Sequence, residues 1–282
     1  MKSKVLIQVD CDGKYALSSH YGEQIKDDED DVFYSSINNI LSILKKFGLK
    51  ATFFVVGKDL ETFEKVEVLK EVVKNEHEIA NHTYNHPNDL SKMSQQDIQN
   101  EILQTNDIIY SKLGIKAKGF RAPNFDISEK ILNVLEQNEM IYDCSLINTP
   151  WKSLLRVFKG ENMLTSNYLG RMTHIPPTVN INEIQISTFP FLKFPCNLSY
   201  LLALPAKISY RLFRVLYKYH LKTETPLIFI VHLSDFVDNI YLYKTESRYF
   251  KSLPKRLFFI ERIFEIFAKS FDSVTTTEYI IN

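Results

Sequence analysis

Cysteine, net charge and long apolar runs are all scarce in this chain of 282 residues. Its three cysteines, Cys11, Cys144 and Cys196, cannot all pair, and no Cys-x-x-Cys occurs. That argues against a disulfide framework and for a reducing compartment. Lys plus Arg and Asp plus Glu number 34 each, so no global charge draws the chain to nucleic acid. No uninterrupted apolar stretch approaches the ~20 residues of a membrane span. The opening run Val5-Leu6-Ile7-Gln8-Val9 is short, lacks a small-residue cleavage site and ends in acidic residues. It reads as a core strand rather than a signal peptide, and a cytoplasmic location is the expectation. Low-complexity tracts, internal repeats and a clear linker are missing too, so residues 1–282 are expected to form a single domain.

What the chain does have is an aromatic-rich composition, with 20 Phe and 15 Tyr, and a regular alternation of patterns. Short β-rich runs fall at 4–9, 50–56, 78–81, 117–121, 140–144, 185–189, 227–233 and 273–277. Amphipathic helical spacing marks 34–47, 59–75, 94–113, 128–137, 206–220 and 248–270. This alternation predicts an α/β fold with a parallel sheet, open or closed into a barrel. Ser94 and Ser128 stand where helix N-caps belong, and Gly48 reads as a helix stop. Two connections are long. The first, 13–33, carries the acidic run 27–31, a solvated loop in the plainer reading and a second cation site in the other. The second, 147–183, is expected to fold over one end of the domain.

Two short motifs carry chemistry. His82-Thr83-Tyr84-Asn85-His86 places two imidazoles four residues apart, one face of a helical turn and a spacing that suits one metal ion. Asp10-Cys11-Asp12 places two carboxylates on one side of an extended strand. One carboxylate can complete a metal site while the other moves a proton. Arg121 follows Gly119-Phe120, Asp143 follows Ile141-Tyr142 and His232 follows the run 228–231. All three thus stand near the C-terminal ends of predicted strands, where Asp10, Asp12, His82 and His86 also fall. In a parallel barrel or sheet the strand C-terminal ends share one face, which carries the active site. Five segments therefore direct polar groups to one place.

Asp-x-Asp, His-Thr-x-x-His, Arg121-Ala122-Pro123, Asp143 and Val231-His232, in that order, resemble the polysaccharide deacetylases. These are carbohydrate esterase family 4, the chitooligosaccharide deacetylase homology domain. Residues 50–57, Lys-Ala-Thr-Phe-Phe-Val-Val-Gly, also look like that family's second strand. The resemblance spans Val5 to about Asp235. It implies a distorted (β/α) barrel of seven or eight parallel strands, and metal-dependent removal of an N-acetyl group from an amino sugar. By this resemblance Asp12, His82 and His86 hold a divalent ion, Zn²⁺ first and Co²⁺, Ni²⁺ or Mn²⁺ as alternatives. Asp10 becomes the general base, with Arg121 keeping it ionised. His232 becomes the general acid, oriented by Asp143. The backbone N–H of Asn124 helps to bind the oxyanion. Three departures bear on substrate: Cys11 separates the aspartates, Asn124 stands where Tyr is common, and Trp151 lies eight residues beyond Asp143.

Taken singly, each residue has an ordinary reading: surface histidines, capping aspartates, a structural ion pair at Arg121, a core histidine at His232. Joint placement weighs against those readings. His20, His77, His174 and His220 match no motif and read as structural or surface residues, while Cys11 and Cys144 read as buried thiols. From Ala206 to His220, Lys207, Arg211, Arg214 and Lys218 form a basic stripe beside apolar residues. It is either the solvated face of an outer barrel helix or a peripheral contact with an anionic membrane. The expected substrate is an N-acylated sugar or glycan precursor, with no nucleic acid partner and the oligomeric state open. A deformylase or other linear-amide hydrolase is the alternative reaction, and a non-catalytic carbohydrate-binding domain the non-enzymatic rival.

Overall fold

The computed structural model describes residues 2–13, 16, 31–147, 175–190, 193–195, 197–237 and 252–282. Among them, parallel strands build one curled sheet: β1 (Lys4–Cys11), β2 (Ala51–Val55), β3 (Glu78–Asn81), β4 (Gly119–Phe120), β5 (Tyr142–Asp143), β6 (Asn182–Glu183), β7 (Leu227–His232) and β8 (Asp272–Ser273). Seven run in the order β6-β5-β4-β3-β2-β1-β7, and β8 pairs with the first residues of β1. Parallel neighbours need a crossover between them, and helices supply it. These are α1 (Asp31–Phe47), α2 (Phe63–Lys74), α3 (Gln95–Leu113), α4 (Glu129–Gln137), α5 (Leu198–Leu202), α6 (Ala206–Thr223), α7 (Leu253–Ser270) and α8 (Thr276–Ile281). The architecture is the expected distorted barrel.

Strand alternation divides the core in two. Val5, Ile7, Val9 and Cys11 of β1 face outward into a cluster with Ile37 and Ile40 of α1 and Phe264 and Phe267 of α7. Leu6 faces inward with Phe54, Ala80, Tyr142 and Ile228, and Gln8 and Asp10 share that inner side by the two-residue period. The curl shows in contacts between strands far apart in the sheet: Gln8 Nε2 donates to Cys144 Sγ at 3.2 Å, from β1 to the end of β5. Between β6 and β7 the wall is completed by irregular chain, where Ile228 N donates to Ser187 Oγ at 2.9 Å and Asn197 bridges to Ile230.

Local signals account for most boundaries. Ser94 and Ser128 accept hydrogen bonds from the amides of Asp97 and Ile131, as N-caps do. Gly48 takes φ 63° just past α1, the left-handed conformation that ends a helix. Three expectations need correction. The strand expected at 185–189 is β6 at Asn182–Glu183, and Thr188 pairs antiparallel with Pro195 instead. The strand expected at 273–277 ends at Ser273, because Thr275 and Glu278 form a reciprocal capping box that starts α8. The helix expected from 59 begins with a 3₁₀ turn over Gly57–Glu61, and α2 starts at Phe63.

Register sets the height of the site. Cys11, Val55, Asn81, Phe120 and Asp143 lie in one row across β1 to β5. The next residue on three of these strands is Asp12, His82 or Arg121. On the other flank Asp10 is the direct partner of His232 across β1 and β7.

Candidate metal and catalytic centre

Asp12, His82 and His86 converge just beyond the strand ends, with ligand atoms all within 4.8 Å of one another. Asp12 Oδ1 lies 3.4 Å from Nε2 of both histidines. Nδ1 of His82 lies 2.8 Å from the carbonyl oxygen of Arg121. A carbonyl only accepts, so Nδ1 carries the hydrogen and the Nε2 lone pair of the neutral ring is directed at Asp12. Asp12 Oδ1 is buried and has no hydrogen-bond partner. A buried carboxylate oxygen left unpaired against two imidazole nitrogens suits a divalent ion, as does the donor set of one carboxylate and two histidines. Burial pushes the Asp12 carboxyl up, but His86 and His82 together outweigh it and hold the group well below the ordinary range. The His82 imidazole is raised: burial opposes its charge, and Asp12 and Asp10 overcome that. Cation binding would displace such protons.

The histidine segment is not the helical turn that its spacing suggested. After β3 the chain bends, with Thr83 at φ 63° and His86 at φ 53°. Pro87 disfavours the right-handed helical conformation at His86, and the Thr83 amide donates to Asn81 Oδ1 at 2.8 Å in an Asx turn. A buried carboxylate from α3 then holds the bend. Glu101 accepts from the amides of Tyr84 and Asn85, each at 2.8 Å, and from Asn85 Nδ2 at 2.7 Å. Nothing in the sequence marked Glu101, since it sits among the polar residues of an amphipathic helix.

Asp10 is buried beside this set. Arg121 Nη1 donates to its Oδ1, Nη2 donates to Gln8, and Nε donates to the Cys144 carbonyl at 3.0 Å. The guanidinium also lies over the Phe54 ring at 4.2 Å. Burial opposes the Arg121 charge, but Asp10 more than restores it, and its pKa is raised. Asp10 Oδ2 faces His232 Nε2 at 3.7 Å. Asn124 follows in a tight turn over Pro123–Phe125, at φ 54°, and its Nδ2 donates to Asn88 Oδ1 at 3.2 Å.

The partner expected for His232 needs correction. Its Nδ1 lies 3.1 Å from Ser199 Oγ and 4.0 Å from Asp235 Oδ2, and Ser199 donates to Asp235 Oδ1 at 2.8 Å. Asp235 also accepts from the His232 amide at 2.9 Å. Asp143 is engaged elsewhere, accepting from the amide and hydroxyl of Ser145 at 3.0 and 2.6 Å. It lies against Glu183, whose carboxyl is pushed well up by burial and by Asp143. Asp143 itself is raised by burial, with Ser145 and Arg121 working the other way. The end of β5 turns Asp143 to Ser145, while the turn after β7 supplies a carboxylate, Asp235, to His232.

Residues 27–142 match the family model described as polysaccharide deacetylase. This stretch belongs to that family. It contains His82, His86, Arg121 and Asn124, and the barrel brings Asp10, Asp12 and His232 to them from outside it. A peptidoglycan-N-acetylglucosamine deacetylase from Bacillus cereus is 34% identical over 161 residues, 55% of this chain and 55% of that protein. The chain spans about half the length of the curated relatives it matches. Among solved structures, a family 4 acetyl xylan esterase from Clostridium thermocellum in complex with a cobalt ion matches with TM-score 0.53 and 16% identity, over 99% of this chain and 90% of that one. A CE4 family pseudoenzyme from Bacillus anthracis matches with TM-score 0.50 and 16% identity, over 98% of this chain and 65% of that one. At such identity the likeness to polysaccharide deacetylase structures extends to the fold, and a pseudoenzyme shares it, so activity must be argued from the side chains.

His77 and His220 are buried away from the centre, against Phe53 and Thr225, and Cys11 and Cys144 are buried free thiols. His20, Trp151, His174, Cys196 and the acidic residues 27–30 lie outside the described residues. Among the described residues no helix is long and apolar enough to cross a membrane.

Proposed function

We propose that residues 1–282 act as one catalytic domain that hydrolyses an amide-linked acyl group, N-acetyl first of all, on an amino sugar or glycan precursor. The observation that carries this reading is the pairing of two devices in one place: a three-ligand set for a divalent ion, and a buried Asp10 facing His232. Binding a sugar needs neither a base nor an acid, so a purely carbohydrate-binding role leaves Asp10, Arg121 and His232 without a purpose.

Asp12, His82 and His86 would hold the ion, Zn²⁺ being the first choice for one carboxylate and two imidazoles. When bound, the ion polarises the acyl carbonyl and acidifies water toward a pKa of ~7. Asp10, with one oxygen on Arg121 and the other open to the site, takes the proton from the attacking water. The water oxygen bonds to the acyl carbon, and the Asn124 amide supports the developing oxyanion. His232, oriented through Ser199 and Asp235, delivers its proton to the amine nitrogen as the carbon–nitrogen bond breaks. Acetate and the free amine leave. The free buried thiols fit a reducing, cytoplasmic setting and a precursor rather than exported wall material.

The test joins metal analysis to product release. Purified protein should carry about one divalent ion, and should release acetate from at least one of a set of sugar nucleotides, lipid-linked sugars and chitooligosaccharides. Release of formate in place of acetate would move the assignment to a deformylase on the same residues. His82→Ala should lose both the ion and hydrolysis; hydrolysis that survives loss of the ion would refute the mechanism.

A further inference from the structure

Helices α6 and α7 both run into parallel strands, β7 and β8, so their N-terminal ends lie at the face of the barrel where the strand C-termini gather. Between their N-terminal halves is a groove of about 860 Å³. Tyr210 and Phe258 line its apolar part, and Lys207, Arg211, Arg214 and Lys255 stand around it. No ion pair joins those four cations to an acid among the described residues, whereas Arg262, at the groove's end, pairs with Glu265 at 2.8 Å. Two exposed large apolar side chains, Tyr210 and Phe258, line the groove, and three more lie elsewhere on α6. Of eight among the described residues, five lie on these two helices: Ile208, Tyr210, Val215, Tyr219 and Phe258, the last 69% exposed.

The charge arrangement runs against helix electrostatics. Helices α2, α3, α4 and α8 each carry an acid in the first turn, as the positive end of a helix favours. The first turns of α6 and α7 carry none, and place Lys207 and Lys255 there instead. Two helix N-termini and four cations with no acid paired to them among the described residues therefore add their positive potentials over one apolar groove.

We propose that the groove between α6 and α7 docks this protein onto an anionic membrane surface, with Phe258 and Tyr210 entering the interface and the four cations meeting lipid phosphates. Charge complementarity sets the sign of the partner. The aliphatic Ile208 and Val215 beside the cations favour lipid over nucleic acid, which would meet them with no compensating contact. The N-terminal ends of α6 and α7 lie toward the face where Asp10, Asp12 and the histidines stand, so docking through this groove would bring that face near the membrane. The inference is independent of the proposed reaction, because docking is read without hydrolysis.

Vesicle flotation tests it with the full chain. Vesicles of phosphatidylglycerol mixed with phosphatidylcholine should carry the protein at ~0.1 M salt, and phosphatidylcholine alone should not. Arg211→Glu with Arg214→Glu should weaken flotation by about tenfold or more, and Phe258→Ser should weaken it in a way that added salt does not reproduce. Lys207→Gln with Lys255→Gln provides a milder pair should charge reversal disturb folding. The denaturation midpoint should be unchanged in all these variants, so that a loss of flotation reads the surface and not the fold. Failure of the wild type to float, or variants that float equally well, would overturn the proposal. So would binding to heparin without binding to vesicles, which would assign the groove to soluble polyanions.

Discussion

Asp10 has two oxygens with two different neighbours, Arg121 on one and His232 on the other. Its proposed role as a base rests on that asymmetry, because the arginine side holds the carboxylate in place while the second oxygen faces His232 across the site. Asp10→Asn preserves shape and removes basicity. Turnover should fall by about 10² to 10⁴, with the divalent ion still bound because the ligands are untouched; kinetics and metal content measured on the same sample check both halves. A variant with normal turnover would end the assignment of Asp10. Arg121 is similarly specific, since its three donor groups reach Asp10, Gln8 and the Cys144 carbonyl, and the ammonium of lysine cannot replace that fork.

At the scale of elements, His82 and His86, the proposed ligands, depend on a bend rather than a helix. Glu101 ties that bend to α3 by three hydrogen bonds. Glu101→Ala should leave the fold intact and reduce affinity for the ion by roughly 10- to 100-fold, which competition with a chromogenic chelator would measure. Affinity equal to the wild type would show that the bend holds itself. The narrow β4 makes a second prediction. A Cβ on Gly119 would lie 1.8 Å from a Tyr142 ring carbon, and that ring is held by the Tyr142 hydroxyl donating to Glu78 at 2.9 Å. Gly119→Ala should cost about 3 kcal/mol or more, visible as a lower denaturation midpoint. The row that levels Asp143 with Phe120 and Asn81 would be disturbed with it.

For the molecule as a whole, acid stability has a named contributor. His77, packed against Phe53 and with Lys50 nearby, is pushed down from 6.5 to about 4 by burial first and by the lysine charge second. Between those values the unfolded chain binds the proton and the folded one does not, so stability rises with pH across this window and is lost as pH falls through it. The contribution is at most about 3 kcal/mol. Denaturant unfolding at pH 7 and pH 4.5 should show a smaller difference for His77→Gln than for the wild type; an unchanged difference would place the acid sensitivity elsewhere.

The sequence by itself determined the alternation of strands and helices from β1 to β5 and the helices α6 and α7, because two- and three-to-four-residue periodicities are local, and the caps at Ser94, Ser128 and Gly48 are local as well. It did not determine the short α5 and α8 or the place of β6. It also marked Asp10, Asp12, His82, His86, Arg121 and His232, since each stands near the C-terminal end of a predicted strand and matches a motif. Pro87 marked the end of the histidine turn and disfavours a helix through His86, while the Thr275–Glu278 box that begins α8 is a local signal that the periodicity does not show. Other features had no local trace. Glu101 meets the histidine bend, Ser199 and Asp235 meet His232, and Asp143 turns to Ser145 and Glu183, each through packing between segments distant in the chain. The groove between α6 and α7 belongs to the same class, because one helix shows half of it and only the neighbouring helix supplies the rest. Periodicity decides which residues face inward. Register between strands decides which of them meet, and that depends on hydrogen bonds that no single segment can make alone.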